Sequence, residues 1–151
     1  MGRMGGSYIL LVELAVKKDV FVGKLGCISF PKASYAYVGS AMNGFRARLA
    51  RHLCREKKLH WHIDYLLKEA EVEEIVLCQD EERTECCLAQ VLAGKLQYVP
   101  GFGSSDCKCQ SHLYFASEKD ILKARVVEAV RQAGLAYEIS PKGVRANGTR
   151  I

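Results

Sequence analysis

The chain has 151 residues, 49% hydrophobic and 26% charged, enough for one globular domain with a real core. No apolar run reaches the roughly 20 residues of a membrane-spanning helix, and the first residues lack the apolar stretch of a signal peptide, so a cytoplasmic location is expected. The net charge of +5 suits a polyanionic partner, and Arg46 to Lys58 holds six of the 22 lysines and arginines against a single acid, Glu56.

In chain order, Tyr8 to Leu14 is apolar at both parities, which predicts a central strand buried on both faces. Val16 to Asp19 reads as a polar turn. Val20 to Gly26 and Cys27 to Phe30 alternate weakly and contain Gly23 and Gly26; they read as an inserted hairpin. After Pro31, Lys32 and Ala33, the stretch from Tyr35 alternates as a strand, and Gly39 is read as its sharp turn. Asn43 is the expected N-cap of a helix with Phe45, Leu49 and Leu53 at helical spacing, ending near Lys57. His60 to Glu69 predicts a short helix, Val72 to Cys78 a third core strand, and Glu81 to Ala93 a helix stopped by Gly94. Pro100 to Cys109 is rich in glycine and serine and reads as a loop. Leu113 to Phe115 is expected as an edge strand. Ser117 opens a last helix, with Leu122, Val126, Ala129, Val130 and Ala133 on its buried stripe. Leu135 to Ile139 adds a strand. The expected fold is α/β of the α+β kind: one domain over residues 1–139 with a loose tail over 140–151. Its small antiparallel sheet has three core strands and an inserted hairpin, with flanking helices.

Several residues could carry chemistry. Arg48, Arg51 and Arg55 flank the apolar stripe of the basic helix, and His52 follows Arg48 by one turn. A phenol at the end of the preceding strand then faces guanidinium groups, a suitable place for a phosphate. Arg46 points off that flank, towards solvent. Arg51, Arg55, Lys57 and Lys58 read as charge for a nucleic-acid backbone, which gives affinity without sequence readout. Glu85 shares a helix face with Leu88 and Leu92, where a carboxylate needs an arginine, a cation or a structural partner. Tyr8 and Tyr37 read either as strand tyrosines with wet hydroxyls or as active-site phenols.

His60, His62 and Asp64 resemble a metal site on paper. On a helix, residues two apart diverge, so only His60 and Asp64 could share an ion, and His62 and Asp64 are read as structural or site-lining. The seven cysteines are expected to be thiols, with Cys54, Cys78, Cys86 and Cys87 as small buried hydrophobes. Cys107, Cys109 and His112 offer three zinc ligands with no evident fourth. The competing readings of that loop are two. Either backbone N–H groups from Gly101 to Ser105 form a phosphate-binding nest, with Ser104, Ser105, Asp106 and His112 lining the site, or the loop is closed by its own hydrogen bonds.

Tyr37-Val38-Gly39, with Arg48 eleven residues after Tyr37 and His52 beyond it, resembles the second half of the GIY-YIG nuclease signature. Gly6-Ser7-Tyr8 resembles the first half. With His60-Trp-His-Ile-Asp-Tyr-Leu66 and Gly101-Phe-Gly-Ser-Ser-Asp-Cys-Lys-Cys-Gln-Ser-His112, the chain is similar to an archaeal and bacterial GIY-YIG-like family, members of which are sometimes fused to endonuclease III. The resemblance runs from about Gly6 to about Phe115. It implies that Tyr37, with Tyr8 as its partner, assists proton transfer or positions the nucleophile. Arg48 neutralises the phosphate, His52 hydrogen-bonds the attacking group or the phosphate, and Glu85 binds one Mg²⁺ or Mn²⁺.

The function so implied is a metal-dependent DNA endonuclease that recognises DNA structure, in a repair context with endonuclease III or other repair proteins as partners. There are two departures: Ser7 stands where the signature has isoleucine, and Gln97 to Gly101 lacks the asparagine that many relatives carry. The rival readings are a nucleic-acid-binding module that keeps the fold without catalysis, and a zinc-stabilised interaction domain built on Cys107, Cys109 and His112.

Overall fold

The computed structural model describes residues 5–42, 44–54, 58–79, 84–105 and 107–141. Eight strands and four α-helices follow in the order β1 (Gly6–Leu14), β2 (Lys18–Phe21), β3 (Cys27–Phe30), β4 (Ala33–Ala41), α1 (Phe45–Leu53), α2 (His62–Leu66), β5 (Glu71–Gln79), α3 (Glu85–Ala93), β6 (Gln97–Tyr98), β7 (Leu113–Ala116), α4 (Lys119–Gln132) and β8 (Glu138–Pro141). Six strands form one antiparallel sheet in the order β6-β7-β4-β1-β5-β8, and β2 and β3 pair separately as the inserted hairpin.

The middle of this sheet is the expected three-strand core, and β1 lies at its centre because both its parities are apolar. On one face, Tyr8, Leu10, Val12 and Leu14 join Tyr35, Ile75 and Leu77. The hairpin, α1 and α2 cover them with Val20, Phe30, Phe45, Leu49, Ile63 and Leu66. On the other face, Ile9, Leu11, Ala36, Val38 and Val76 meet α3 and α4 through Leu88, Leu92, Val126 and Val130. Each fully buried leucine or valine in these layers contributes about 1.5–3 kcal/mol over an exposed one. The pairing of β1 with β5 shifts by one residue between Leu11 and Val12, a bulge on the β5 side.

Several boundaries differ from those expected. Gly39 is not a turn. It lies inside β4, opposite Tyr8, and a Cβ there would stand 2.4 Å from the Tyr8 ring and hydroxyl. The glycine is required by close approach of a ring, not by backbone direction. The turn falls later, at Gly44, which has φ 123° and is the N-cap of α1; Asn43 lies outside the described residues. α1 ends at Leu53, short of Lys57, and α2 begins at His62, not His60. α3 begins at Glu85, and residues 81–83 of the expected helix lie outside the described residues.

β7 is not an edge strand: it lies between β4 and the two-residue β6. The last strand also takes in Ser140 and Pro141, which were expected in the tail, and pairs with β5. Residues 142–151 lie outside the described residues. No described helix is long and apolar enough to cross a membrane.

Gly39→Ala should destabilise the fold by about 1–3 kcal/mol, the usual cost of overpacking. Denaturant titration measures it. A double-mutant cycle with Tyr8→Ala should show the penalty largely removed, because the clashing ring is then gone.

Candidate functional site

The register of β1 with β4, together with α1, brings Tyr8, Tyr37, Arg48 and His52 into one cluster. Tyr8 and Tyr37 share a parity on neighbouring strands, so both rings point to the face that α1 covers. His52, expected either to act in the site or to sit idle on the helix surface, is buried. Its Nε2 lies 2.6 Å from the Tyr8 hydroxyl, and its ring packs edge-on against Tyr37. Burial raises the pKa of Tyr8, a neighbouring Tyr37 raises it further, and Arg48 opposes both. Burial likewise pushes Tyr37 up to about 12 against the pull of Arg48. Both phenols are therefore neutral near pH 7 and act as hydrogen-bonding groups there, not as phenolates.

Trp61, the single tryptophan, forms the outer wall. The Arg48 guanidinium lies 4.4 Å and that of Arg51 4.6 Å from the centre of its ring, cation–π contacts on either arginine. Arg51 was expected to be a charge for a nucleic-acid backbone. Its Nη2 instead donates to Asp64 Oδ2 at 2.7 Å and to the Lys58 carbonyl at 3.1 Å. Asp64 is fully buried, and the same Oδ2 accepts the backbone N–H groups of His60 and Trp61. A carboxylate removed from water needs donors on this scale, which is why Arg51 is turned inward. Asp64 is thus a structural anchor for the start of α2, and His60 and Asp64 do not form the metal pair that their spacing allowed. Lys58 is exposed, as is Arg46; Arg55 and Lys57 lie outside the described residues.

The loop between β6 and β7 runs from this cluster to a second one. Gly103, at φ 73°, donates its N–H to His62 Nδ1 at 2.8 Å; a Cβ there would stand 3.1 Å from the Tyr37 ring and 3.2 Å from His112 Cβ. Phe102 packs against Tyr37 and His62. The amides of Gly101 and Phe102 bond to the carbonyls of Gln110 and Val99. Three amides of the expected phosphate nest are thus occupied within the protein, and the loop is closed by its own bonds. Ser104 is buried, Ser105 is exposed, and Asp106 lies outside the described residues.

Beyond the loop, Cys86, Cys107, Cys109 and His112 bring four ligand atoms within 4.8 Å of one another, a group that could hold a metal ion such as zinc. Cys86 is the fourth donor that spacing along the chain did not reveal. It lies in the first turn of α3, 21 residues before Cys107, so only the packing of α3 against the sheet brings it to the loop. Cys78 is buried as expected, but Cys54 and Cys87 are exposed, not core residues. Burial and the neighbouring thiols push Cys109 up to about 12. Burial lowers the pKa of His112, so its imidazole is neutral, the form that binds metals.

Glu85 stands beside this second group, within electrostatic reach of Cys86 and His112. No hydrogen bond or ion pair joins it to Arg48 among the described residues. Its Oε2 is buried with no hydrogen-bond partner among them. The donors around it are sulfur and imidazole nitrogen, which suit zinc, whereas Mg²⁺ asks for several oxygens. Tyr8, Tyr37, Arg48 and His52 are brought together, and Glu85 is not among them.

Asp64→Asn should lower stability by roughly 1–3 kcal/mol, because the buried donors lose a charged acceptor. Trp61 emission should change in the same variant while it remains folded, since Arg51 is no longer held against the ring. Denaturation followed by fluorescence checks both.

A family model described as Domain of unknown function DUF123 matches residues 7–135. Neither the curated proteins nor the solved structures hold a match to the chain. A match over so much of the chain settles its family: the protein belongs to Domain of unknown function DUF123.

Proposed function

We propose that the protein is an endonuclease that hydrolyses phosphodiester bonds in DNA, with its centre at Tyr8, Tyr37, Arg48 and His52. The observation that carries this reading is the 2.6 Å contact between the Tyr8 hydroxyl and His52 Nε2, under an arginine that acts on both phenols. A phosphodiester needs charge relief on its oxygens and directed proton transfer. Arg48 supplies the first by meeting the non-bridging oxygens. Tyr37, held neutral, donates a hydrogen bond to the attacking water or to the phosphate. Tyr8 and His52 share a proton across their bond and can pass one to the departing oxygen.

Exposed Lys58 and Arg46 add backbone affinity, and the excess positive charge of the chain favours a polyanion such as DNA. A DNA-repair role and an association with endonuclease III or another repair protein fit this chemistry. Zinc suits the Cys86, Cys107, Cys109 and His112 group in a structural role. Magnesium or manganese would have Glu85 as a carboxylate ligand and would supply charge relief on the phosphate.

The second reading is a binding module without catalysis. One observation favours it: Tyr8 is 1% exposed. A cleavage panel of duplex, nicked, flap, junction and abasic DNA separates the readings, run with magnesium, with manganese and with chelator. The endonuclease reading expects cleavage that falls at least about 100-fold in Arg48→Ala and Tyr37→Phe, the scale of losing one transition-state donor. It also expects no falling limb from tyrosine ionisation up to about pH 10, because the folded pKa of Tyr37 lies above the ordinary value. DNA binding that quenches Trp61, weakens with salt and is lost in Arg48→Ala, with no cleavage of any substrate, would establish the binding module instead.

A further inference from the structure

We infer that Cys86, Cys107, Cys109 and His112 bind one zinc ion in a closed tetrahedral site, and that this ion clamps the loop lining Tyr37 and His62. The first support is geometric. Zinc bonds of about 2.3 Å to sulfur place tetrahedral ligand atoms about 3.8 Å apart, and a sulfur and a nitrogen about 3.6 Å apart. The four donor atoms lie within 4.8 Å of one another, and Cys107 Sγ is already 3.4 Å from His112 Nε2. Drawing the donors in by about 1 Å at most completes the shell.

The second support is the surrounding hydrogen bonding. His112 Nδ1 lies 3.1 Å from the Val38 carbonyl, an acceptor only, so Nδ1 carries the proton and Nε2 turns its lone pair to the thiols. The third is the choice of donors. Three sulfurs and one imidazole favour zinc over calcium, magnesium or manganese, and four protein ligands leave no open position for a reacting water. Binding is an acid–base step without oxidation: the three thiols lose their protons to solvent as three sulfur–zinc bonds form, and the neutral imidazole adds the fourth bond.

The location defines the role. The ligands come from the first turn of α3, from the long loop and from the residue preceding β7. His112 also ties down its neighbours: its N–H bonds the Phe102 carbonyl at 2.8 Å, and Val38 N–H bonds its own carbonyl at 2.9 Å. Phe102 and Gly103 then pack on Tyr37 and His62. One ion thus joins a helix on one face of the sheet to a loop that reaches the other face. Without it, the loop keeps its short hydrogen bonds, and its tie to α3 falls to the weak 4.0 Å approach of Cys109 Sγ to the Cys86 carbonyl.

The test begins with metal analysis of the full chain purified without added metal, and with cobalt substitution. About one zinc per chain is expected, with the intense thiolate-to-cobalt absorption of a tetrahedral sulfur-rich site after exchange. Cys86→Ser and Cys109→Ser should each lose most of the metal, whereas Cys87→Ser, one position away and exposed, should keep it. Chelation of the wild-type protein should speed hydrogen exchange at the amides of Gly103 and His112 at least about tenfold and leave the β1–β4 ladder protected, as for local opening. A folded wild-type chain with zinc far below one per chain and no cobalt band would overturn the site. So would Cys86→Ser binding zinc as tightly as wild type. Unchanged exchange at Gly103 after metal removal would overturn the clamp. None of these readings uses cleavage, so a protein that binds zinc and cuts nothing disproves only the endonuclease proposal.

Discussion

The packing of the Tyr8 ring on the bare backbone of Gly39 is the constraint on which the site depends. The two residues are directly opposite in the β1–β4 register, and no side chain larger than hydrogen fits at position 39. With the ring laid flat against β4, the hydroxyl reaches α1 and meets His52. That contact fixes the rotation of α1, which sets Arg48 and Arg51 on the Trp61 side and buries Phe45 and Leu49. Strand register, helix orientation and the polar cluster therefore follow from one close approach. A slip of one residue between β1 and β4 would put Tyr8 and Tyr37 on opposite faces of the sheet and separate them.

A second organising element works through polar satisfaction. Asp64 is wholly buried and gathers Arg51 with two backbone amides, so the start of α2 and the indole of Trp61 are held to α1. The β6–β7 loop is then held from both sides, by His62 through the Gly103 amide and by the group of Cys86, Cys107, Cys109 and His112. Long loops of this kind persist in one shape when their backbone groups are paired, and here most of the glycine-rich turn is paired internally. The amides of Gly101, Phe102 and Gly103 in the expected phosphate nest are taken up in this closure and are not free for an anion.

Much of the architecture was legible in the residues. The apolar parity of Tyr8 to Leu14 indicated a central strand, the weak alternation over Val20 to Phe30 an inserted hairpin, and the Leu122, Val126 and Val130 spacing a helix against the sheet. Local pattern was weaker at ends, where capping and packing decide. α2 starts at His62 because Asp64 accepts the Trp61 amide, a bond that the apolar spacing does not encode. β7 lies inside the sheet because the two-residue β6 adds to its free edge, and two residues carry almost no periodic signal.

What the sequence determined by itself was the class of the fold and the chemistry available along each segment. Parity and helical spacing depend on neighbours a few residues apart, so they can be read from the chain. It also marked Tyr8, Tyr37, Arg48 and His52 as candidates, on spacing and resemblance. Only the tertiary structure decided which groups share a place. Cys86 joins Cys107, Cys109 and His112 because α3 packs on the far face of the sheet, while Arg51 is drawn inward by Asp64 and Glu85 stands beside the cysteine group. Those choices depend on desolvation and donor geometry between segments far apart in the chain, and one-dimensional pattern has no term for either.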